Sequence, residues 1–197
     1  MKKRYLYIIL FSIGFSSQSK VGTTAAQFLG IGVGSKAMSM GGAFTSMVDD
    51  ASSAYWNPGS IAHIKKNKFQ ITNANWLIDT SWLYGSYVQK VDYRSTLAVN
   101  VFYLDYGDEE VTTIYEQDGT GEYWTAYDLS AGLYYGMNLT NKFSFGGGVK
   151  YISQAIYNES SSTIAFDMGL LYQNLSNKFR LGVSISNIGI DMNLEGT

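Results

Sequence analysis

Gly30-x-Gly32-x-Gly34-Ser35-Lys36 is the first stretch whose residue types could do chemistry. A phosphate loop needs GxxxxGK[ST] after a strand, so that backbone amides cradle the phosphates and the lysine reaches them. The spacing here is different and no βαβ unit surrounds it. The glycines therefore read as points of close backbone packing. Asp49 and Asp50 could form a metal or acid–base pair. Neighbouring acids rarely converge on one substrate, and no histidine or third acid is near in sequence. Asp50 is better placed as the N-cap of a short helix, with Asp49 meeting an interior cation or amide. His63 is the single histidine, beside Lys65 and Lys66. A triad would need it, and no Ser–His constellation accompanies it. The acids Asp105, Asp108, Glu109, Glu110, Glu116, Asp118 and Glu122 do not follow the order of an EF-hand and read as a solvated loop. With no cysteine, a disulfide framework and a cysteine-ligated metal are excluded. The expectation is no catalytic residue, no metal, no cofactor and no enzyme; a barrel hydrolase is the weakest reading.

The elements that carry these residues are strands. Charged residues make up 15% of the 197, against about 25% in ordinary soluble domains. There are 16 Tyr and 21 Gly but a single Pro, and the net charge of −2 gives no reason to expect nucleic acid as a partner. Residues 1–19 have the layout of a signal peptide: Lys2, Lys3 and Arg4, then the apolar run Tyr5 to Phe15, then small serines. The apolar run is shorter than the roughly 20 residues a spanning helix needs. The chain is thus expected to leave the cytoplasm and, if it enters a membrane, to enter as strands.

From Lys68 the side chains alternate with the period of two that a strand imposes. Leu97, Val99, Val101 and Tyr103 form one apolar row. Tyr127, Leu129, Ala131, Leu133, Tyr135 and Met137 form another, opposite Asp128, Ser130, Gly132 and Gly136. Phe143, Phe145, Val149, Tyr151 and Tyr157 oppose Ser144, Gly146, Gly148, Lys150 and Gln154. Ile164, Phe166, Met168, Leu170 and Tyr172 oppose Asp167, Gly169 and Gln173; Phe179, Leu181, Val183 and Ile185 oppose Arg180, Gly182 and Ser184. The strands near 68–77 and 81–91 alternate less cleanly. Short turns fall at Asp92–Arg94, Asn138–Lys142 and Asn174–Lys178, and longer connections at Tyr106–Glu122 and Asn158–Ser162. Aromatics sit towards strand ends. A soluble sandwich would show Lys, Glu and Thr on its polar face; here that face is Gly, Ser, Asn and the isolated charges Asp128, Lys150, Asp167 and Arg180. Such a face suits a barrel lumen, with the apolar rows towards lipid. These charges are expected to pair or to touch a plug. About seven strands are present, and an open sheet would leave edge amides unpaired in lipid, so the sequence reads as an incomplete barrel.

Between leader and strands, residues 20–67 break the alternation. Asp50 followed by "ASSAYW" fits a short helix, and Asn57-Pro58-Gly59 should end it. A compact module ahead of a barrel with a small-residue lining is expected to lie inside it as a hatch. Its ordered series, with Met40-Gly41-Gly42, Asp49-Asp50, the small run Ala51–Ala54 and Tyr55-Trp56-Asn57-Pro58, resembles the N-terminal signature of the PorV/PorQ family of outer-membrane proteins, itself similar to FadL-type hydrophobic-compound transporters. The resemblance covers about 40 residues. It implies an all-β antiparallel barrel of about 14 strands, half of it present here, in the outer membrane of a Gram-negative bacterium. It also implies one of two roles. The first is non-enzymatic partner binding in protein secretion or surface attachment, as in the type IX system, with secretion components or secreted proteins as partners. The second is passage of hydrophobic small molecules, for which Phe28, Leu29, Phe44 and Trp56 would line the path.

Overall fold

The computed structural model describes residues 25–48, 50–174, 176, 178–190 and 192. The expected leader at 1–19, and Asp49, lie outside the described residues. Seven strands form one antiparallel sheet in simple sequence order: β1 Lys68–Asn75, β2 Ser81–Lys90, β3 Ser95–Glu110, β4 Tyr123–Asn138, β5 Phe143–Ile156, β6 Glu159–Asn174 and β7 Phe179–Gly189. Each strand pairs only with its neighbours in the chain, and β1 and β7 are not joined to each other. The fold is all-β and barrel-like, of the outer-membrane type, with an unclosed wall. No helix among the described residues is long and apolar enough to cross a membrane.

Both faces follow from the alternation. Leu133, Val149, Met168 and Val183 are 51, 39, 50 and 52% exposed, on one outward face of a single sheet rather than between two stacked sheets. Aromatic rings meet across strands on that face: Phe143 and Tyr172 at 4.8 Å, Tyr172 and Phe179 at 6.3 Å, Tyr103 and Tyr127 at 5.8 Å. The opposite face is covered by the N-terminal segment, which holds a 3₁₀ turn Gln27–Gly30, α1 Ser35–Ser39, α2 Ser53–Trp56 and a second 3₁₀ turn Pro58–His63.

Three expectations need correction. The Ser-rich stretch Asn158–Ser162 is not a long connection. Ser160, Ser161 and Ser162 pair with Ala155, Gln154 and Ser153, leaving a two-residue turn in which Tyr157 takes φ 54°. Tyr157 thus belongs to the turn and not to the outward row. Serine satisfies a ladder as well as any residue, so polarity alone does not mark a loop. Likewise the acidic connection is shorter than Tyr106–Glu122, because β3 runs on to Glu110 through a register shift between Asp105 and Asp108. The covered face is not uniformly small and polar either: Trp82, Tyr84, Val88, Phe102 and Leu104 are buried on it. This is why β2 alternates poorly; both its faces are apolar, one of them packing on the N-terminal segment. Arg180 lies in register with buried Gln173 on the covered face and is exposed there, at β7, the edge of the described sheet.

Candidate functional site

The site is the seat of the N-terminal segment on the wall. It begins with glycines. Gly136 of β4 pairs in register with Gly146 of β5, and Gly146 pairs with Gly169 of β6. The three make a trough across three strands, and the backbone of Pro58 and Gly59 lies in it. A Cβ at Gly146 would overlap the Pro58 carbonyl, one at Gly169 would overlap the Asn57 side chain, and one at Gly136 would stand 2.6 Å from Ile61. The fit is mutual: a Cβ at Gly59 would be 2.6 Å from the Gly169 carbonyl oxygen. Where the segment offers bulk instead, the wall does too. Phe28 stacks on Phe102 at 5.6 Å, and Phe102 on Trp82 at the same spacing.

Asn57 locks the seat. It is fully buried and extended at φ −161°, so it ends α2 and opens the next turn. Its Oδ1 accepts from Gly59 N at 2.9 Å, while Nδ2 donates to Thr45 O at 2.8 Å and to Leu170 O of β6 at 3.0 Å. One amide thereby uses both ends, joining two parts of the segment to the wall. The sequence points to helix termination here, and that is observed; the second turn started by the same residue is additional. Asp50 differs from its expected role. The N-cap position of α2 is Ser52, and Asp50 Oδ1 accepts from the Ser52 amide at 2.9 Å and its hydroxyl at 2.6 Å, two residues ahead. Asp favours this local turn over the cap because its short carboxylate reaches an amide two residues on.

The other signature residues hold the segment together. The Tyr55 hydroxyl lies 2.6 Å from Leu29 O and 2.9 Å from Ile31 O, and Trp56 Nε1 donates to Val33 O at 3.0 Å. Gly42 takes φ 80° with Trp56 against its Cα side, and Gly41 takes φ 65°, conformations that favour glycine. Met40 is exposed. Phe28, Leu29 and Phe44 are buried, and Trp56 lies 6.4 Å from Phe44.

The wall reaches back from many strands. Gln70 Oε1 of β1 accepts from Ser52 N, and Ser86 Oγ of β2 donates to Ala51 O at 2.9 Å. Lys90 Nζ of β2 and Asn138 Nδ2 of β4 both donate to Ala62 O at 2.9 Å. Ser144 Oγ of β5 donates to Gly59 O at 2.7 Å, and Gln154 Oε1 accepts from Ala26 N at 2.9 Å. Of the four interior charges, Asp128 accepts from Gln154 at 2.8 Å and Tyr106 at 2.8 Å, and so meets the segment through Gln154. Lys150 and Asp167 pair with each other at 2.9 Å, 6 and 2% exposed. They tie strand to strand, not wall to segment.

His63 ends the second 3₁₀ turn, with Nδ1 2.9 Å from Gln173 Nε2. The amide donates, so Nδ1 is bare and the ring is neutral. Burial, then the charges of Lys90 and Arg180, push its pKa down to about 4. An unfolded histidine titrates near 6.5, so between these values the unfolded chain binds more protons and stability falls as pH drops. After discounting for solvent, the loss should be about 1 kcal/mol on going from pH 7 to pH 4.5. Urea midpoints of the native chain and His63→Gln at both pH values check this; equal pH dependence in the two would contradict it.

An antiparallel wall with an apolar outside and a filled inside defines a barrel-like outer-membrane type of protein. The family model described as Type IX secretion system protein PorV matches residues 15–196, and the chain belongs to that family, one of secretion-system components. A comparison with curated proteins finds no match.

Proposed function

We propose that the chain is an outer-membrane component of a type IX secretion system that acts, without catalysis, by binding partner proteins at its rim. In this reading residues 1–19 are a cleaved leader, residues 20–67 a fixed filler of the lumen, and the strands from Lys68 onward half of a barrel of about 14 strands, whose remainder pairs the edges of β1 and β7. One observation carries it: β1, β2, β4, β5 and β6 all hydrogen-bond the segment, which also packs its buried apolar residues against the wall. A hatch so fastened is costly to move, which favours a scaffold over a conduit. The long loop 111–122 supplies a surface for partners, with Ile114 and Tyr115 80 and 90% exposed among its acids. A photo-crosslinking residue at Tyr115, activated in native membranes, should capture secretion-system or secreted proteins. Capture of none, together with uptake of a labelled hydrophobe that Trp56→Ala abolishes, would replace this reading with a transporter of hydrophobic small molecules.

A further inference from the structure

The N-terminal segment leaves its seat through the second 3₁₀ turn and runs by Lys65 and Lys66 into β1, at the short-turn end of the wall. There a cleft of about 750 Å³ opens on the covered face. One side is the segment itself, Ala62 to Lys65. The other is the inward side chains Lys90 and Asn138 with the turns that follow β2 and β4. Three cations line it, Lys65, Lys90 and Arg94, beside the polar Thr140 and Asn141. Its one carboxylate is Asp92, whose Oδ1 accepts from the amides of Arg94 at 2.6 Å and Ser95 at 2.8 Å and so closes its own turn. Lys90 Nζ is held by neutral acceptors, Ala62 O and Thr96 Oγ1, at 2.9 and 3.2 Å. No ion pair engages Lys65, Lys90 or Arg94 among the described residues. His63 also lines the cleft; Nδ1 takes the Gln173 amide, and the buried Nε2 has no partner among the described residues. The long acidic stretch of this chain, Asp105 to Glu122, stands at the opposite end of the strands and cannot neutralise these cations.

We infer that this cleft binds an acidic segment of a periplasmic protein, a short stretch of chain that carries two or more carboxylates. The inference rests on the outer-membrane reading above, in which short turns face the periplasm. It adds a second partner surface at the end opposite loop 111–122. Three features choose the occupant. The first is charge: three cations against one carboxylate, already engaged by its own turn, make the lining complementary to an anion. Arg94 can take a carboxylate through two parallel N–H groups, and Lys65 and Lys90 add point charges on the facing side. The second is size. The cleft falls within the roughly 300–1,000 Å³ of sites that enclose ligands many atoms large, so a single inorganic anion would leave most of it empty. Thr140 and Asn141 supply polar groups for the main chain of a peptide between its acidic side chains. The third is place. The lining comes from the segment and from inward side chains, so the occupant enters from the aqueous end of the wall and not from the lipid around it.

The test titrates the full chain, in a neutral detergent, into a short fluorescein-labelled peptide of alternating Glu and Ser, and into its Gln counterpart. Fluorescence anisotropy reads binding. The native chain should bind the Glu peptide roughly tenfold more tightly at about 0.05 M salt and lose most of that preference at about 0.5 M, where exposed charges are screened. Lys65→Gln/Arg94→Gln should bring the two peptides close to equal. Lys178→Gln/Arg180→Gln should keep the preference; it removes the same charge from a neighbouring cleft, beyond the His63–Gln173 contact. A water-soluble carbodiimide should couple peptide carboxylates to Lys65 or Lys90. Gel mobility of unheated samples confirms that each variant is folded. No preference in the native chain, or equal loss in the two variants, overturns the proposal. Inorganic phosphate that displaces the peptide at equal concentration assigns the cleft to a small anion and overturns it too. Phosphatidylglycerol that displaces it, where phosphatidylcholine does not, assigns the cleft to lipid with the same result. Flotation with phosphatidylcholine vesicles is scored separately. A chain that floats but shows no peptide preference overturns this proposal alone, while a chain that does not float overturns the outer-membrane reading and the periplasmic partner with it.

Discussion

Lys150→Met should lower the stability of the folded wall by about 3–5 kcal/mol, the cost of breaking a buried pair and leaving one charge behind. The charge left is Asp167, 2% exposed and 2.9 Å from Lys150 Nζ. It would keep two donors, the Tyr134 hydroxyl at 3.1 Å and the Asn187 amide at 2.7 Å, neither of them charged. Both depend on local geometry. Tyr134, Gly148 and Asp167 sit side by side in register on β4, β5 and β6, and Tyr134 spans the middle strand because Gly148 has no side chain there. Asn187 takes φ 63° where the β6–β7 register shifts between Phe166 and Met168, a bulge that turns its amide to the carboxylate. Its side chain also meets Lys150 Nζ. The double variant Lys150→Met/Asp167→Leu should recover much of the loss, since a hydrophobic replacement of a buried pair is often near neutral. Urea unfolding followed by gel mobility in unheated samples measures all three chains. A double variant no better than Lys150→Met would show that the pair does more than neutralise itself.

Strand number, face assignment and three of the short turns, those after β2, β4 and β6, were legible because each rests on local pattern. Leu133, Val149 and Met168 alternate with Gly132, Gly148 and Asp167 over a few residues, and the structure places the apolar members outward. The seat was less legible because its parts are far apart in sequence. Gly136, Gly146 and Gly169 look like scattered small residues until register aligns them. The Lys150–Asp167 pair spans adjacent strands, and its existence needs an offset that no hydrophobic period reports. Asn57 carried a turn signal in Asn-Pro-Gly, yet its bond to Leu170 O lies 113 residues away. Gln173 gave no signal at all as the partner of His63. The misread Ser160–Ser162 shows the converse limit: composition marks solubility, while pairing depends on what the opposite strand offers.

The glycine trough should be the most sensitive part of the seat. Gly146→Ala and Gly169→Ala each put a methyl into backbone or into Asn57, groups that cannot swing aside as the end of a flexible chain would. Overpacking of this kind costs about 1–3 kcal/mol, and here the strain falls on contact between segment and wall, not on the ladder, whose hydrogen bonds alanine retains. Asn57→Ala attacks the same junction from the other side. It strands the Thr45 and Leu170 carbonyls and the Gly59 amide, at about 1–3 kcal/mol for each group left without a partner. The expected outcome for all three is a released N-terminal segment on a wall that still assembles. Limited proteolysis should cut between Ala43 and Lys66 at least tenfold faster than in the native chain, while the gel mobility that marks a folded wall is unchanged. Gly147→Ala is the control, since on the same strand its Cβ would stand 3.6 Å from the nearest atom, an ordinary contact. The double variant Asn57→Ala/Gly169→Ala decides the mechanism. The Gly169 methyl clashes chiefly with the Asn57 amide, so removing that amide should leave only the Gly59 nitrogen, 3.0 Å away, to give way, with a cost well below the sum of the two. Additive losses would mean that Gly169 and Asn57 act on the segment independently, and the interlock described for the seat would be wrong.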